Sequence, residues 1–277
     1  MTGNETTIHP SAVVEPGAQL GTGVRIGPFC HVGPDVVVGD NCELVGHVSV
    51  TGKTTIGKGA VIHPQAALGR PAQDAKHKGA KTALEIGENC IIRECVTMHC
   101  GSDASTGRTV IGDDGFFLAY SHVAHDCVVG RNAVFANGAT LGGHCQIGDF
   151  VYIGGLTAVH QNVRVGDRAF LGGCSAVVGD VIPYGMAAGN RAKLRGFNVV
   201  GMRRQGMARA DIMRMREAYR VIFDPQRPLK ENLEIAARDF ADTPLVGEIV
   251  GFMKQGGKRY FIVPPLKGDA DEGDEAV

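Results

Sequence analysis

The sequence predicts a parallel β-helix followed by a small α-helical domain, on three observations. An aliphatic residue falls at every sixth position from Ile8 through Val14, Leu20, Ile26, Val32, Val38, Leu44, Val50, Ile56 and Ile62 to Leu68, and again from Ile111 to Val177. Four residues after each of these stands a small or β-branched residue, as at Ala12, Ala18, Val24, Cys30, Val36 and Cys42. Beyond Val177 both rules stop, and apolar residues fall at helical spacings over 202–223, 229–240 and 245–253, punctuated by Pro225, Pro228 and Pro244.

A period of six fits neither a helix nor a simple strand, so each hexad reads as a short strand plus a corner. Three hexads close a triangular coil of 18 residues, and stacked coils pair every strand with its copies above and below. The residue after the aliphatic one is often glycine (Gly21, Gly27, Gly33, Gly39, Gly130, Gly142, Gly148), as expected where a backbone turns tightly. Cys30, Cys42, Cys90, Cys127 and Cys145 share the small inward phase and read as core fillers; Cys90, Cys95 and Cys100 contain no CxxC pair.

Bulk properties bound the function classes. The 277 residues allow one or two domains, and 40 glycines with no tryptophan suit a turn-rich repeat. A net charge of −1 excludes a whole-molecule field for nucleic acid. No apolar run approaches the roughly 18 residues that span a bilayer, and no secretory signal is visible, which points to a cytoplasmic protein without a membrane span. Two segments, 69–85 and 99–110, interrupt the hexads, and loops added to a rigid wall are where binding groups concentrate. The first, basic and rich in polar side chains, is the better candidate. The expected organisation is a β-helix over 1–190 with these two loops, then a helical domain over 191–277 that caps the last coil and ends in a disordered acidic tail, 267–277. Between Arg191 and Lys230 eleven Lys or Arg face three acids, which suits an acidic partner or phosphates.

Chemistry concentrates at His122-Val123-Ala124-His125-Asp126-Cys127. Counting by coils places Gly143 and then Gln161 over His125, His144 over Asp126, and His160 over Gly142. His125 lies two residues past inward Val123, on an outward phase facing solvent or a neighbouring subunit. A neutral imidazole with a reference pKa of about 6.5 can take a proton from a hydroxyl, and an adjacent carboxylate can orient it. This suits acyl transfer by direct attack, with His125 as base, Asp126 as its support and the Gly143 N–H as oxyanion donor. Zinc between subunits, as in the γ-class carbonic anhydrases, is the rival chemistry; His122 and His125 point to different sides of a strand, and no metal is expected.

The hexads resemble the hexapeptide-repeat acyltransferase superfamily, whose coils wind left-handed. Within it, Ile26-Gly27-Pro28-Phe29-Cys30, Gln73-Asp74-x-Lys76, Ile92-Arg93-Glu94, the His122–Cys127 stretch, Gly154-Gly155-Leu156-Thr157-Ala158-Val159-His160-Gln161 and Gly172-Gly173-Cys174-Ser175 resemble the UDP-N-acetylglucosamine O-acyltransferases of lipid A synthesis. The resemblance implies a cytosolic homotrimer with active sites between subunits. It would move an (R)-3-hydroxyacyl chain from acyl carrier protein to the sugar 3-hydroxyl of UDP-N-acetylglucosamine. It also implies acceptor contacts from Gln73, Asp74, His122, His144, Gln161, Asn198 and Arg204, with Lys76 and His160 near acceptor or donor. The acyl groove would follow the column Asn137, Gly155 and Gly173 and end near Arg191, and bulk at position 173 goes with shorter chains. No cofactor is implied beyond the phosphopantetheine thioester that the donor carries. Val200 and Arg191 depart from the family pattern, where Glu and His are usual. Three alternatives stand beside this reading. One is the N-acyltransferase of the same pathway, whose added N-terminal domain finds no room before Ile8. The others are a 3-amino analogue of the sugar as acceptor and a non-catalytic β-helical assembly module.

Overall fold

The computed structural model describes residues 5–265. It is a left-handed parallel β-helix of three sheets with a C-terminal helical domain. Among the described residues the sheets hold eleven, nine and eight strands, and each takes every third strand of the chain until the last two strands, which both join the eleven-stranded sheet. Thr7 pairs with Arg25 and Ile8 with Ile26, which is the 18-residue coil. Sheet 1 runs from Thr7–Ile8, sheet 2 from Val13–Val14 and sheet 3 from Gln19–Leu20.

Both inward phases fill one continuous core. Ile26, Val32, Val38, Leu44, Val50, Ile56, Ile62 and Leu68 are buried, and so are Cys30, Cys42, Cys90, Cys127 and Cys145. Each aliphatic side chain removed from water is worth about 1.5–3 kcal/mol, and the stacking repeats that gain coil after coil. Burial pushes the Cys90 thiol up to about 11, as an inert packing group requires.

The glycines after the aliphatic residues correct the expectation attached to them. Gly27, Gly39, Gly130 and Gly148 do not take positive φ; that conformation belongs to Phe29, Asn41, Asn132 and Phe150, two residues later. A Cβ on Gly27 would lie 2.0 Å from the Val45 carbonyl oxygen of the next coil. Glycine is therefore set by the close approach of stacked corners, not by the turn itself.

Both loops leave the wall at the edge between sheets 2 and 3. Lys53 pairs with Ala83 and Ala83 with Arg108, so two coils are 30 and 25 residues long, and the extra chain projects at this edge. The strands Ala67–Arg70, Ala83–Ile86, Thr97–His99 and Arg108–Ile111 confine the loops to 71–82 and 100–107, inside the expected limits.

The wall continues past the expected boundary at residue 190. Gly185–Ala188 pairs parallel with Phe170 and Leu171, and Lys193–Phe197 then folds back antiparallel. A strand thus covers the sheet 1 edge where helices were expected to cap it, and its ladder pairs the open backbone groups there. Among the described residues four helices follow: α1 (Val199–Arg204), α2 (Arg209–Ile222), α3 (Leu229–Asp239) and α4 (Pro244–Lys254). The expected single helix over 202–223 is split at Gly206, whose φ is +80°. The acidic tail expected over 267–277 lies outside the described residues.

A buried ion pair ties the helical domain to the wall. Arg164 donates through Nε to Asp180 Oδ2 at 2.7 Å and through its backbone N–H to Oδ1 at 2.9 Å, with Phe252 of α4 4.5 Å from the guanidinium carbon. Asp180→Ala strands the guanidinium in a dry site, and the unfolding free energy measured in denaturant should fall by about 3–5 kcal/mol. Arg164→Met with Asp180→Leu should recover most of that loss.

Candidate active site

The sequence cluster sits at the edge between sheets 2 and 3, between the strands His122–Val123 and Val128–Val129. Three stacked corners meet there, since the His144 N–H donates to the His125 carbonyl at 3.0 Å and the Asn162 N–H to the Gly143 carbonyl at 2.9 Å. Asp126 takes the left-handed conformation, φ +59°, which an aspartate tolerates better than most residues. Its Oδ2 lies 2.8 Å from His125 Nδ1.

The Asp126 side chain is fully shielded from solvent. Burial works to raise its carboxyl, yet hydrogen bonds from Ser102, His125 and Thr106 outweigh it and hold the carboxyl below the ordinary value. The Ser102 N–H reaches both carboxylate oxygens at 3.1 and 3.0 Å, Ser102 Oγ reaches Oδ2 at 2.6 Å, and Thr106 Oγ1 reaches Oδ1 at 3.1 Å. An ionised carboxylate only accepts, so His125 carries its proton on Nδ1 and presents the lone pair of Nε2.

The coil count places its partners correctly. A Cβ on Gly143 would lie 2.6 Å from His125 Cε1 and 2.7 Å from Nε2, so the imidazole occupies the space a side chain would take. Among the described residues the Gly143 N–H has no backbone acceptor. The His144 ring meets His125 edge-on, with centroids 5.0 Å apart, and its Nδ1 is 3.2 Å from Ser105 Oγ. Gln161 is exposed one coil further on, where its carbonyl accepts from Arg259 Nε at 3.0 Å. Arg259 also donates to His160 Nδ1 at 2.6 Å. His125 itself is only 9 % exposed, against the expectation of an open outward phase, with Asp126, the Gly143 backbone and the His144 ring packed against it.

His122 lies apart from this pair, on the sheet 2 face, with its Nδ1 2.7 Å from Thr97 Oγ1. Behind it is His99, with ring centroids 5.1 Å apart. His99 was not anticipated from the sequence. It is 5 % exposed, its Nδ1 has no partner, and burial, helped by His122 and His125, lowers its pKa to about 4. Ser102, Ser105 and Thr106 were missed as well, although they stand in a Gly/Ser/Thr-rich loop expected to be the weaker candidate of the two.

One ligand atom each from His125, Asp126 and His144 fall within 4.8 Å of one another, a span that could hold an ion. The Asp126 oxygens, however, are already engaged by Ser102, Thr106 and His125, which leaves the donor set poor in free lone pairs.

The remaining expected residues fall elsewhere in the chain. Gln73, Asp74 and Lys76 lie on the 71–82 loop, where the Lys76 N–H caps Asp74 Oδ1 at 2.9 Å. Gly155 and Gly173 stack at the edge between sheets 1 and 2, and a Cβ on Gly173 would meet the Gly155 carbonyl at 3.3 Å. Arg191 is exposed beside the turn in which the Ala176 N–H donates to Gly189. Asn198 caps α1, accepting from the Gly201 N–H at 2.9 Å, and Arg204 is exposed in its last turn. Both line a groove of about 1220 Å³ against Val134, Tyr152 and Phe170 of sheet 1, on a different side of the prism from His125. Val200 on its rim is exposed.

These corners and their repeat define a transferase of the hexapeptide class: the family model described as bacterial transferase hexapeptide (six repeats) matches residues 17–52 and 108–143. The model described as Udp N-acetylglucosamine O-acyltransferase, Domain 2, matches residues 180–262. An acyl-[acyl-carrier-protein]--UDP-N-acetylglucosamine O-acyltransferase of Mesorhizobium japonicum is 62 % identical over 272 residues, 98 % of each chain. A crystal structure of a UDP-N-acetylglucosamine acyltransferase superposes with a TM-score of 0.90 at 39 % identity, covering 94 % of this chain and 100 % of that one. The Francisella novicida enzyme of the same name gives 0.90 at 32 % identity, covering 96 % and 97 %. The chain belongs to the acyl-[acyl-carrier-protein]--UDP-N-acetylglucosamine O-acyltransferase family, and it is an acyltransferase.

The buried histidine sets a pH dependence of stability. His99 titrates near 4 when folded and near 6.5 when unfolded, so between those values the unfolded chain binds the extra proton. The stability is fully present above about pH 6.5 and is lost, by up to about 3 kcal/mol, as pH falls to about 4. Asp126, held below the carboxylate value, adds its loss only at still lower pH. In denaturant titrations at pH 7 and 4.5, His99→Gln should show a markedly smaller drop in stability than the unmodified protein.

Proposed function

We propose that the chain transfers an (R)-3-hydroxyacyl group from acyl carrier protein to the 3-hydroxyl of UDP-N-acetylglucosamine, the first step of lipid A synthesis. His125 Nε2 takes the proton of the acceptor hydroxyl, whose oxygen attacks the thioester carbonyl. The Gly143 N–H receives the developing oxyanion, Asp126 steadies the imidazolium, and the C–S bond breaks as the leaving thiol regains the proton from His125. No nucleophile of the protein is acylated, and no cofactor is needed beyond the donor's own phosphopantetheine thioester. The observation that carries this reading is the fixed tautomer: an ionised, hydrogen-bonded Asp126 against Nδ1 leaves Nε2 free beside Gly143.

In this reading the active form is a homotrimer, with the sites between subunits. A single chain keeps Asn198 and Arg204 on the sheet 1 side and His125 at the opposite edge, so a neighbouring copy must bring the halves together. Exposed Phe29, Tyr120 and Leu156 at the edge between sheets 1 and 2 support self-association. All three are bulky residues held at positive φ, a strain that a packed contact would justify. Gln73, Asp74, Lys76, His122, His144 and Gln161 then contact the nucleotide sugar, with His160 near acceptor or donor. The groove past Gly155 and Gly173 toward Arg191 takes the acyl chain. Arg203, Arg204, Arg209, Arg216 and Arg220 are exposed on the helical domain, a dock suited to an acidic carrier protein. No helix of the described residues is long and apolar enough to cross a membrane, and the reaction is assigned to the cytoplasm.

Incubation with UDP-N-acetylglucosamine and a series of 3-hydroxyacyl carrier proteins should give one dominant O-acylated product by mass spectrometry. His125→Ala should lower kcat/KM by about 10²–10⁴-fold. Near-full activity of that variant, or acylation only of a 3-amino acceptor, would end the assignment.

A further inference from the structure

The 100–107 loop does more than hold Asp126. Successive residues on it reach three different parts of the site. Ser102 and Thr106 hold Asp126, as described above, and Ser105 meets His144. Asp103 turns the other way, toward the 71–82 loop: its Oδ1 lies 3.2 Å from His77 Nδ1, and its Oδ2 accepts from the Lys78 N–H at 2.9 Å. The Lys78 N–H, with His77, holds the Asp103 carboxyl below its ordinary value. His77 directly follows Gln73, Asp74 and Lys76, and its own N–H donates to the Asp74 carbonyl at 2.9 Å. The side chains of His77 and Asp103 are 10 % and 21 % exposed, so this contact is shielded from the solvent that weakens surface pairs.

We propose that the 100–107 segment is a strap that sets the acceptor loop and the general base in one geometry. Asp103 and His77 position the acceptor-binding residues. Ser102, aided by Thr106, positions Asp126 and through it His125. None of the four touches a reacting atom; each acts through another side chain. The proposal rests on the readings of His125 as base and of 73–76 as acceptor contacts.

The physical basis is the economy of lost freedom. A loop that projects from the wall must be ordered before a ligand can use it, and ordering costs affinity unless it is done in advance. The His77–Asp103 contact does this for the 71–82 loop, and the cost of losing it appears in acceptor binding. Ser102 acts on charge: without its Oγ–H, buried Asp126 loses its 2.6 Å donor among those that keep it ionised, and the cost appears in turnover.

Steady-state kinetics on the full-length protein separate these roles. Asp103→Ala and His77→Ala should each raise KM for UDP-N-acetylglucosamine roughly tenfold, leave KM for the acyl carrier protein unchanged and alter kcat little. The double variant should be no worse than either single one, and His77→Gln, which keeps a donor, should restore much of the affinity. Ser102→Ala should lower kcat by about tenfold or more with a small change in KM, and Ser102→Thr should rescue it. His125→Ala, measured alongside, reports on the base by itself. If His125→Ala is inactive while Asp103→Ala keeps the normal acceptor KM, or if the two KM values rise together, the strap is overturned and the base reading stands. An active His125→Ala removes the base reading and the strap with it.

Discussion

Everything at this site depends on the stacking of one coil directly on the next. Strands separated by a full turn pair in register, so a residue and the one a coil later are forced into contact at about 4.8 Å. In the wall this constraint selects small and aliphatic side chains and leaves no room for a Cβ on Gly27 or Gly130. At the edge between sheets 2 and 3 the same constraint brings Gly143 against the His125 ring. The rule that builds the core thus also builds the pocket for the His125 ring. Only the residue types differ.

The second requirement is electrostatic. A carboxylate buried without partners would protonate and would stop orienting its histidine. Asp126 avoids this because a loop folds back and supplies an N–H and two hydroxyls to its oxygens. The wall cannot provide these donors, since its backbone groups are used in the ladders. The chain departs from the repeat where donors are needed, and both departures occur at the edge between sheets 2 and 3.

Much of this was legible in the sequence, because a strict period converts sequence distance into spatial distance. The coils, the buried cysteines, Gly143 over His125 and His144 over Asp126 all follow from counting. What resisted reading lies off the period. Ser102, Ser105 and Thr106 belong to an insertion with no register, so composition could mark the loop but not its direction. The basic 71–82 loop looked the richer of the two, yet the hydroxyls of the plainer one reach the carboxylate. His99 was passed over because a single histidine after an inward methionine carries no signal until its unpaired nitrogen is seen beside His122. The strand cap over 193–197 was hidden by its antiparallel direction, which breaks the phase of everything before it.

A groove beside Asn198 and Arg204 lies on the sheet 1 side of the prism, away from His125. The proposed reaction depends on the corner that holds His125, and the most direct test of that corner is Gly143→Ala. Gly143 does not take positive φ, so alanine is acceptable to the backbone, and the three atoms nearest the new methyl all belong to the imidazole, the closest 2.6 Å away. Measured against the unmodified enzyme, with assembly and acceptor binding checked in parallel, kcat should fall at least about a hundredfold while both of those are kept. A Gly143→Ala enzyme that assembles, binds acceptor and turns over at a near-normal rate would contradict the account.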